Sequence, residues 1–282
     1  MTTSSSAARP KTAPLSAGYG VLALEFRKLL GFRSVRLGLI VAFILPAILT
    51  LAPDEGIAQV IGADIILVSG WQVPGMSLYL MMPFLLPLLT AVTCAELVGG
   101  EKDWGTLAPL LLRPVSRSRV AMSKLFVAIL YPFLLLLTTL VGGLVIGGLR
   151  YGFGTFVGGT GLGEGAFTGI GEIEPLAALA ELARGYVIAG AVLAPIAALA
   201  IFFGVVYLNT AAAALSSIAI ILLMGILKVF TWLRPLLLTE HMDAYSPLRS
   251  GSFNVTQSLV LLGMYTLVCA ISTLLVFDRK DL

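Results

Sequence analysis

Three stretches and two isolated cysteines of the 282-residue sequence carry side chains that could do chemistry. Glu96-Leu97-Val98-Gly99-Gly100-Glu101-Lys102-Asp103-Trp104-Gly105 alternates acids, glycines and leucines more densely than a mere connection requires, which suits contact with another protein. Gly159-Thr160-Gly161-Leu162-Gly163 has the backbone freedom of a phosphate cradle but lacks the following Lys-Ser/Thr, and no G-x-x-x-x-G-K-[ST] run occurs anywhere in the chain. Glu240-His241-Met242-Asp243 offers metal-ligand residue types, yet too few converge for a zinc or transition-metal site, and a solvated loop is the better reading. Cys94 and Cys269 both sit inside apolar runs, where a cysteine behaves as a small hydrophobe. These patterns point to no catalytic residue and no metal ligand.

The elements that must position these residues follow from composition. Hydrophobic residues make up 58% of the chain and charged residues 12%, against about 25% charged in soluble domains. Too little polar surface is present to cover a water-soluble globule, and a disordered chain needs the opposite balance. A polytopic, all-α membrane protein is the fold class that remains. The formal charge of +3 gives no case for nucleic acid as a partner.

A membrane helix needs about 20 mostly apolar residues. The charge-free intervals are Leu37–Pro53, Ile65–Ala95, Leu125–Leu149, Gly185–Leu227 and Ser250–Phe277. The fourth would be about 65 Å long as a single helix, twice the hydrocarbon thickness, so it must turn, and Leu208-Asn209-Thr210 is its only polar interruption near the middle. Six spans are therefore expected, near 37–53, 75–95, 125–149, 185–207, 211–230 and 256–277. An even number places both termini on one side. The segments on that side, up to Arg36, 96–124 and the C-terminus, hold 13 of the 18 Lys/Arg and only 6 of the 15 Asp/Glu. The positive-inside rule makes that side cytoplasmic, so the expected location is the cell (inner or plasma) membrane with both termini inside. Trp71, Tyr151, Tyr186 and Trp232 fall near span ends, as an interfacial aromatic belt would.

Residues 1–20 read as a disordered cytoplasmic tail, and 21–282 as one membrane domain. Val21–Phe32 reads either as a short interfacial helix, with Leu22, Phe26, Leu29 and Leu30 on one face, or as the basic flank of the first span. Pro83, Pro87, Pro132 and Pro195 suggest kinks within spans, and Gly142-Gly143 and Gly147-Gly148 permit close helix approach. In the external loop 150–184, nine of the twenty residues from Gly152 to Gly171 are glycine, giving a mobile loop or a lid at the exit, and Glu174 to Arg184 reads as a short amphipathic helix. No charged residue lies well inside a span except Lys228 near the outer end of the fifth, which argues against an ion-coupled carrier. In the 96–124 loop, Leu107 and Leu111 are spaced to form an apolar ridge on a short helix that Pro114 closes, with a basic cluster following.

The run Glu96…Gly100-Glu101…Gly105-Thr106-Leu107…Leu111…Pro114…Arg117…Lys124, with the ending Phe277-Asp278-Arg279-Lys280-Asp281-Leu282, resembles the ABC-type-2 permeases, membrane subunits of ATP-driven exporters. The resemblance implies a half-transporter that pairs with a second permease, as a homodimer or related heterodimer, and binds two copies of a cytoplasmic ATPase. ATP and Mg would be bound by that partner, with no cofactor in this chain. The 96–124 loop would carry the coupling helix, with Glu101 as its main polar contact and Gly105-Thr106-Leu107 shaping it. The expected function is a permease forming the substrate pathway, itself no enzyme. The alternative is a membrane scaffold whose loop recruits a cytoplasmic partner without transport.

Overall fold

The computed structural model of the chain describes residues 16–51, 67–103, 117–158, 171–245 and 254–279. The long apolar run turns where its polar interruption lies. Helix α6 spans Pro175–Tyr207 and α7 spans Thr210–Leu227. Leu208 takes the left-handed conformation, φ 51°, and its N–H donates to the Gly204 carbonyl at 2.9 Å, closing α6. Asn209 caps the next helix, its side-chain oxygen accepting from the Ala212 N–H at 2.9 Å.

Ahead of these lie α1 (Ser16–Gly31), α2 (Arg33–Leu51), α3 (Gln72–Met81), α4 (Leu85–Asp103) and α5 (Arg117–Tyr151). Helix α8 (Val255–Arg279) follows three short 3-10 turns between Arg234 and Tyr245. The fold is thus almost wholly helical, with one small addition to the all-α expectation. Strands β1 (Phe156–Gly158) and β2 (Gly171–Ile173) pair antiparallel, with Val157 opposite Glu172. Residues 159–170 of the glycine-rich loop lie outside the described residues. Among the described residues, five helices are long and apolar enough to cross a membrane, or six when α3 and α4 are taken as one span.

Helix α6 is the axis of the bundle, packed by α4, α5, α7 and α8. Its inward positions alternate alanine with larger apolar residues, and Ala189, Ala197, Ala200, Val192 and Ile196 are fully buried. Small residues let neighbouring backbones close in where lipid supplies no hydrophobic drive between helices. The glycine pairs of α5 act in this way. A side chain at Gly142 would meet the Phe43 carbonyl at 2.8 Å, one at Gly143 the Pro74 Cα at 2.8 Å, and one at Gly147 the Gly70 carbonyl at 2.5 Å. By contrast α2, α7 and α8 present large apolar side chains outward, among them Ile44, Ile48, Leu222, Ile226, Leu267 and Val268. Such continuous apolar faces belong in lipid.

Several boundaries differ from the sequence expectations. Helix α1 begins at Ser16, inside the stretch expected to be tail. The second span is broken: α3 and α4 meet at 64° across residues 82–84, where Pro83 lacks the N–H that a continuous helix needs. Residues Glu96–Asp103, expected in a loop, are the last turns of α4. Glu174 to Arg184 makes no separate helix, because Pro175 opens α6 directly. Tyr186 therefore lies within α6, buried, its hydroxyl donating to the Pro74 carbonyl at 2.9 Å, while Trp232 stays exposed as a belt residue would. Asn254 precedes α8, and its N–H is met by the Gln257 side chain at 3.3 Å.

Candidate functional site

A cluster of charged side chains ties three helices together at the end of the bundle adjoining residues 104–116. Glu25 of α1, Glu101 of α4 and Lys124 of α5 are all buried, and Lys28 of α1 closes the group from a partly exposed position. Lys124 Nζ lies 3.0 Å from Glu25 Oε2, 2.8 Å from Glu101 Oε1 and 2.9 Å from the Leu97 carbonyl. All three of its donors are thus used. Lys28 Nζ reaches Glu101 Oε1 at 2.9 Å and Glu25 Oε1 at 3.1 Å. Two carboxylates and two ammoniums form a closed, neutral ring, the arrangement in which burying charge is tolerable. Beside it, Ser34 of α2 donates to Glu96 Oε2 of α4, so that α1, α2, α4 and α5 all meet here.

Each side chain is placed by its helix pattern. Lys124 shares the buried face of α5 with Val120, Ala121, Leu125 and Ala128. On α1, Glu25 and Lys28 are one turn apart, and Leu29 and Phe32 carry the same side of the chain into the core. Burial alone would lower the Lys28 pKa, but its hydrogen bond to Glu101 and the charges of Glu25 and Glu101 outweigh that and hold it above the usual lysine range. The interfacial reading of residues 21–32 is corrected in detail: Leu22, Phe26 and Leu29 face the bundle, Glu25 joins them, and Leu30 is exposed.

The residues singled out for coupling separate into two groups. Glu96, Gly100 and Glu101 lie on α4, and Arg117 opens α5, half-buried. Gly105, Thr106, Leu107, Leu111 and Pro114 lie outside the described residues. Glu101 was expected to present itself as a contact for a partner; it is turned inward, 3% exposed, and bonded to Lys124 and Lys28. Gly99 explains why α4 outruns its expected end. Two successive glycines signal a loop in the sequence, yet Gly99 serves packing: its missing side chain leaves room for the backbone of Thr210, with which any Cβ would collide.

Sequence reasoning missed the roles of Glu25, Lys28 and Lys124. The available signal was an acid and a base spaced i, i+3 on an amphipathic helix, together with a lysine directly abutting a charge-free span. The Glu240–Asp243 stretch is also corrected, since His241 is not solvated. It is buried, with Nδ1 2.9 Å from Ser258 Oγ and Nε2 3.0 Å from the Pro235 carbonyl. A carbonyl can only accept, so Nε2 carries the proton and Nδ1 accepts from the serine. Both nitrogens are engaged in fastening the last 3-10 turns to α8.

Fold and cluster together define a helical membrane protein whose first helices are locked to each other by buried ion pairs. The chain belongs to the family described as a protein of unknown function, DUF2705, whose pattern matches residues 60–282. It is also similar to the uncharacterized protein YhcI of Bacillus subtilis (strain 168), with 28% identity over 206 residues, covering 69% of this chain and 64% of the relative. The match therefore takes in less than two thirds of the relative's length.

Proposed function

We propose that the chain is the membrane permease subunit of an ATP-driven transporter of the ABC-type-2 kind, acting as an exporter with energy supplied by a separate cytoplasmic ATPase. The observation that carries this reading is the charge ring. Helices α4 and α5 flank residues 104–116, and their facing ends are bonded to each other and to α1 through Glu101, Lys124, Glu25 and Lys28. Force applied at 104–116 would reach three helices as one body, as a coupling element requires. Glu101 acts in this reading as the internal fastening of the coupling segment rather than as its contact with the partner. Contact with the ATPase falls to the ridge of Leu107 and Leu111 with Thr106, followed by Arg117.

Further support comes from where charge is absent. The spans hold no carboxylate away from their ends, so a coupling ion has no evident seat in the membrane. The concentration of Lys/Arg at the ring end supports a cytoplasmic setting for that end. The working unit is then two permease chains with two ATPases, ATP and Mg being held by the latter, in a cell membrane with both termini inside.

Affinity isolation of the full chain from its native membrane in mild detergent tests this. Co-isolation of a P-loop ATPase at one copy per permease, lost when residues 105–113 are replaced by a Gly/Ser linker, is the expected result. A complex without any ATPase contradicts it.

A further inference from the structure

At the ring end Glu25, Glu96 and Glu101 all bond inward, the first and last to Lys124 and Lys28, and Glu96 to Ser34. The arginines beside them on α1 and α2 have no such partner. Arg27, Arg33 and Arg36 are exposed, and none forms an ion pair among the described residues. Arg36 uses one donor, Nη2, on the Gly31 carbonyl at 2.6 Å. Arg27 and Arg33 make no side-chain hydrogen bond among the described residues. Three like charges at one corner repel one another unless an anion meets them.

The corner has room for that anion. Gly31 ends α1, and the space where its side chain would begin is open, with no atom within 4 Å. Arg27 stands one turn earlier on the same face of α1, and Arg36 reaches the same residue from α2. The depth of the corner in a bilayer follows from α2. Arg36, Ile40, Ile44 and Ile48 succeed one another at i, i+4 along its outer face, and all are exposed. At 1.5 Å per residue Arg36 lies about 6 Å short of the first isoleucine of that lipid-facing ridge, where a long cationic side chain reaches the headgroups. On α1, Leu24 and Leu30 flank Arg27 and are exposed with it. Leucine and arginine sharing one open face suit the boundary between hydrocarbon and water.

We infer that the Gly31 corner binds the phosphodiester of an anionic glycerophospholipid, of the phosphatidylglycerol type. The phosphate oxygens accept from the Arg27 guanidinium and from the unused donors of Arg36, and Arg33 adds its charge alongside. The planar guanidinium suits this task, because it can present two parallel N–H groups to one phosphate. The acyl chains lie along Leu37 and Ile40, both exposed. An anionic lipid is favoured over a zwitterionic one because Glu25, Glu96 and Glu101 are turned to their own partners, leaving none of them to meet a headgroup cation. The inference is independent of the transport reading except for the leaflet, which the proposed orientation makes the inner one.

The test uses the purified full chain in neutral detergent, without any ATPase, titrated with dioleoylphosphatidylglycerol or dioleoylphosphatidylcholine and followed by native mass spectrometry. The glycerol lipid should bind about tenfold more tightly. Arg27→Gln should weaken it about fivefold at an unchanged melting temperature, because that side chain is exposed and unbonded. Arg27→Gln/Arg36→Gln should bind the two lipids alike. Gly31→Leu should fill the open space and weaken the glycerol lipid without any change of charge. Arg279→Gln removes the same charge from the exposed end of α8 and should keep wild-type affinity. Equal binding of both lipids by wild type, or a preference that survives in the double variant, overturns the inference. So does a loss from Arg279→Gln as large as that from Arg27→Gln, since net charge alone would then account for the binding.

Discussion

The two ends of the bundle are held by different physics. At one end, Glu25, Lys28, Glu101 and Lys124 make directional, charged contacts between residues up to 99 positions apart in the chain. At the other, backbones meet where glycine removes side chains: the Gly70 N–H donates to the Gly152 carbonyl at 2.9 Å, and Gly147 lies against Gly70. Tyr186 adds one hydrogen bond there and His241 two. A packed glycine contact has one arrangement and resists change, because interiors are dense and stiff. A ring of ion pairs can exchange partners, and it stands beside the segment proposed to meet an ATPase. The contrast assigns the joining of three helices by charge to one end and close backbone packing to the other.

Breaking the ring should have the largest effect. Lys124→Met leaves two buried carboxylates with only Lys28 between them and should destabilise the protein by about 3–5 kcal/mol, the cost of orphaning a buried charge. Chemical denaturation in detergent reads this as a lower midpoint. At the glycine-packed end, Gly147→Val forces a side chain onto the Gly70 carbonyl and should cost about 1–3 kcal/mol, as overpacking does. Combined with Lys124→Met it should add to within about 0.5 kcal/mol, since the sites share no partner. Glu25→Gln combined with Lys124→Met should instead be non-additive by about 0.5–3 kcal/mol. Additivity within the ring, or coupling between the two ends, would erase the distinction drawn here.

A smaller loss, about 1 kcal/mol, is expected from Ser258→Ala, which takes away the donor to His241 Nδ1 and should be visible as a modest drop in thermal midpoint. The smallest effect is in pH. The raised Lys28 pKa means its stabilisation is complete below the ordinary lysine value, about 10.4, and is lost as pH rises through the higher folded value. The stability gap between wild type and Lys28→Gln should therefore stay level from pH 8 to 10 and close above it. A gap that widens with alkaline pH would contradict the pairing. Because Lys28 is 39% exposed at its side chain, solvent keeps the gap small.

Much of this architecture was readable from charge placement alone. The turn at Leu208-Asn209-Thr210 followed from a run too long for one crossing; proline was a weaker guide, since Pro83 falls at the break while Pro132 and Pro195 lie inside unbroken helices. Helix ends were less legible. Gly99-Gly100 and the acids after them look like a loop, because a single sequence does not reveal that Gly99 must admit another backbone. The site was half legible for a related reason. Glu101 carries a charge suited to contact, but whether its partner lies in the same chain depends on the register of α1 and α5, which periodicity does not fix. That difference matters to the experiment: Glu101→Arg would disrupt the ring itself, so it cannot separate a lost docking contact from a damaged fold.

The most direct measurement is therefore ATP turnover by the co-isolated ATPase in proteoliposomes, with the wild-type chain against Leu107→Glu/Leu111→Glu, which leaves the ring intact. Wild type should stimulate hydrolysis, and the double variant, equally stable on denaturation, should lose both stimulation and ATPase association. Stimulation by the variant equal to wild type, or none by either, would contradict the assignment of residues 104–116 as the place where energy enters the membrane domain.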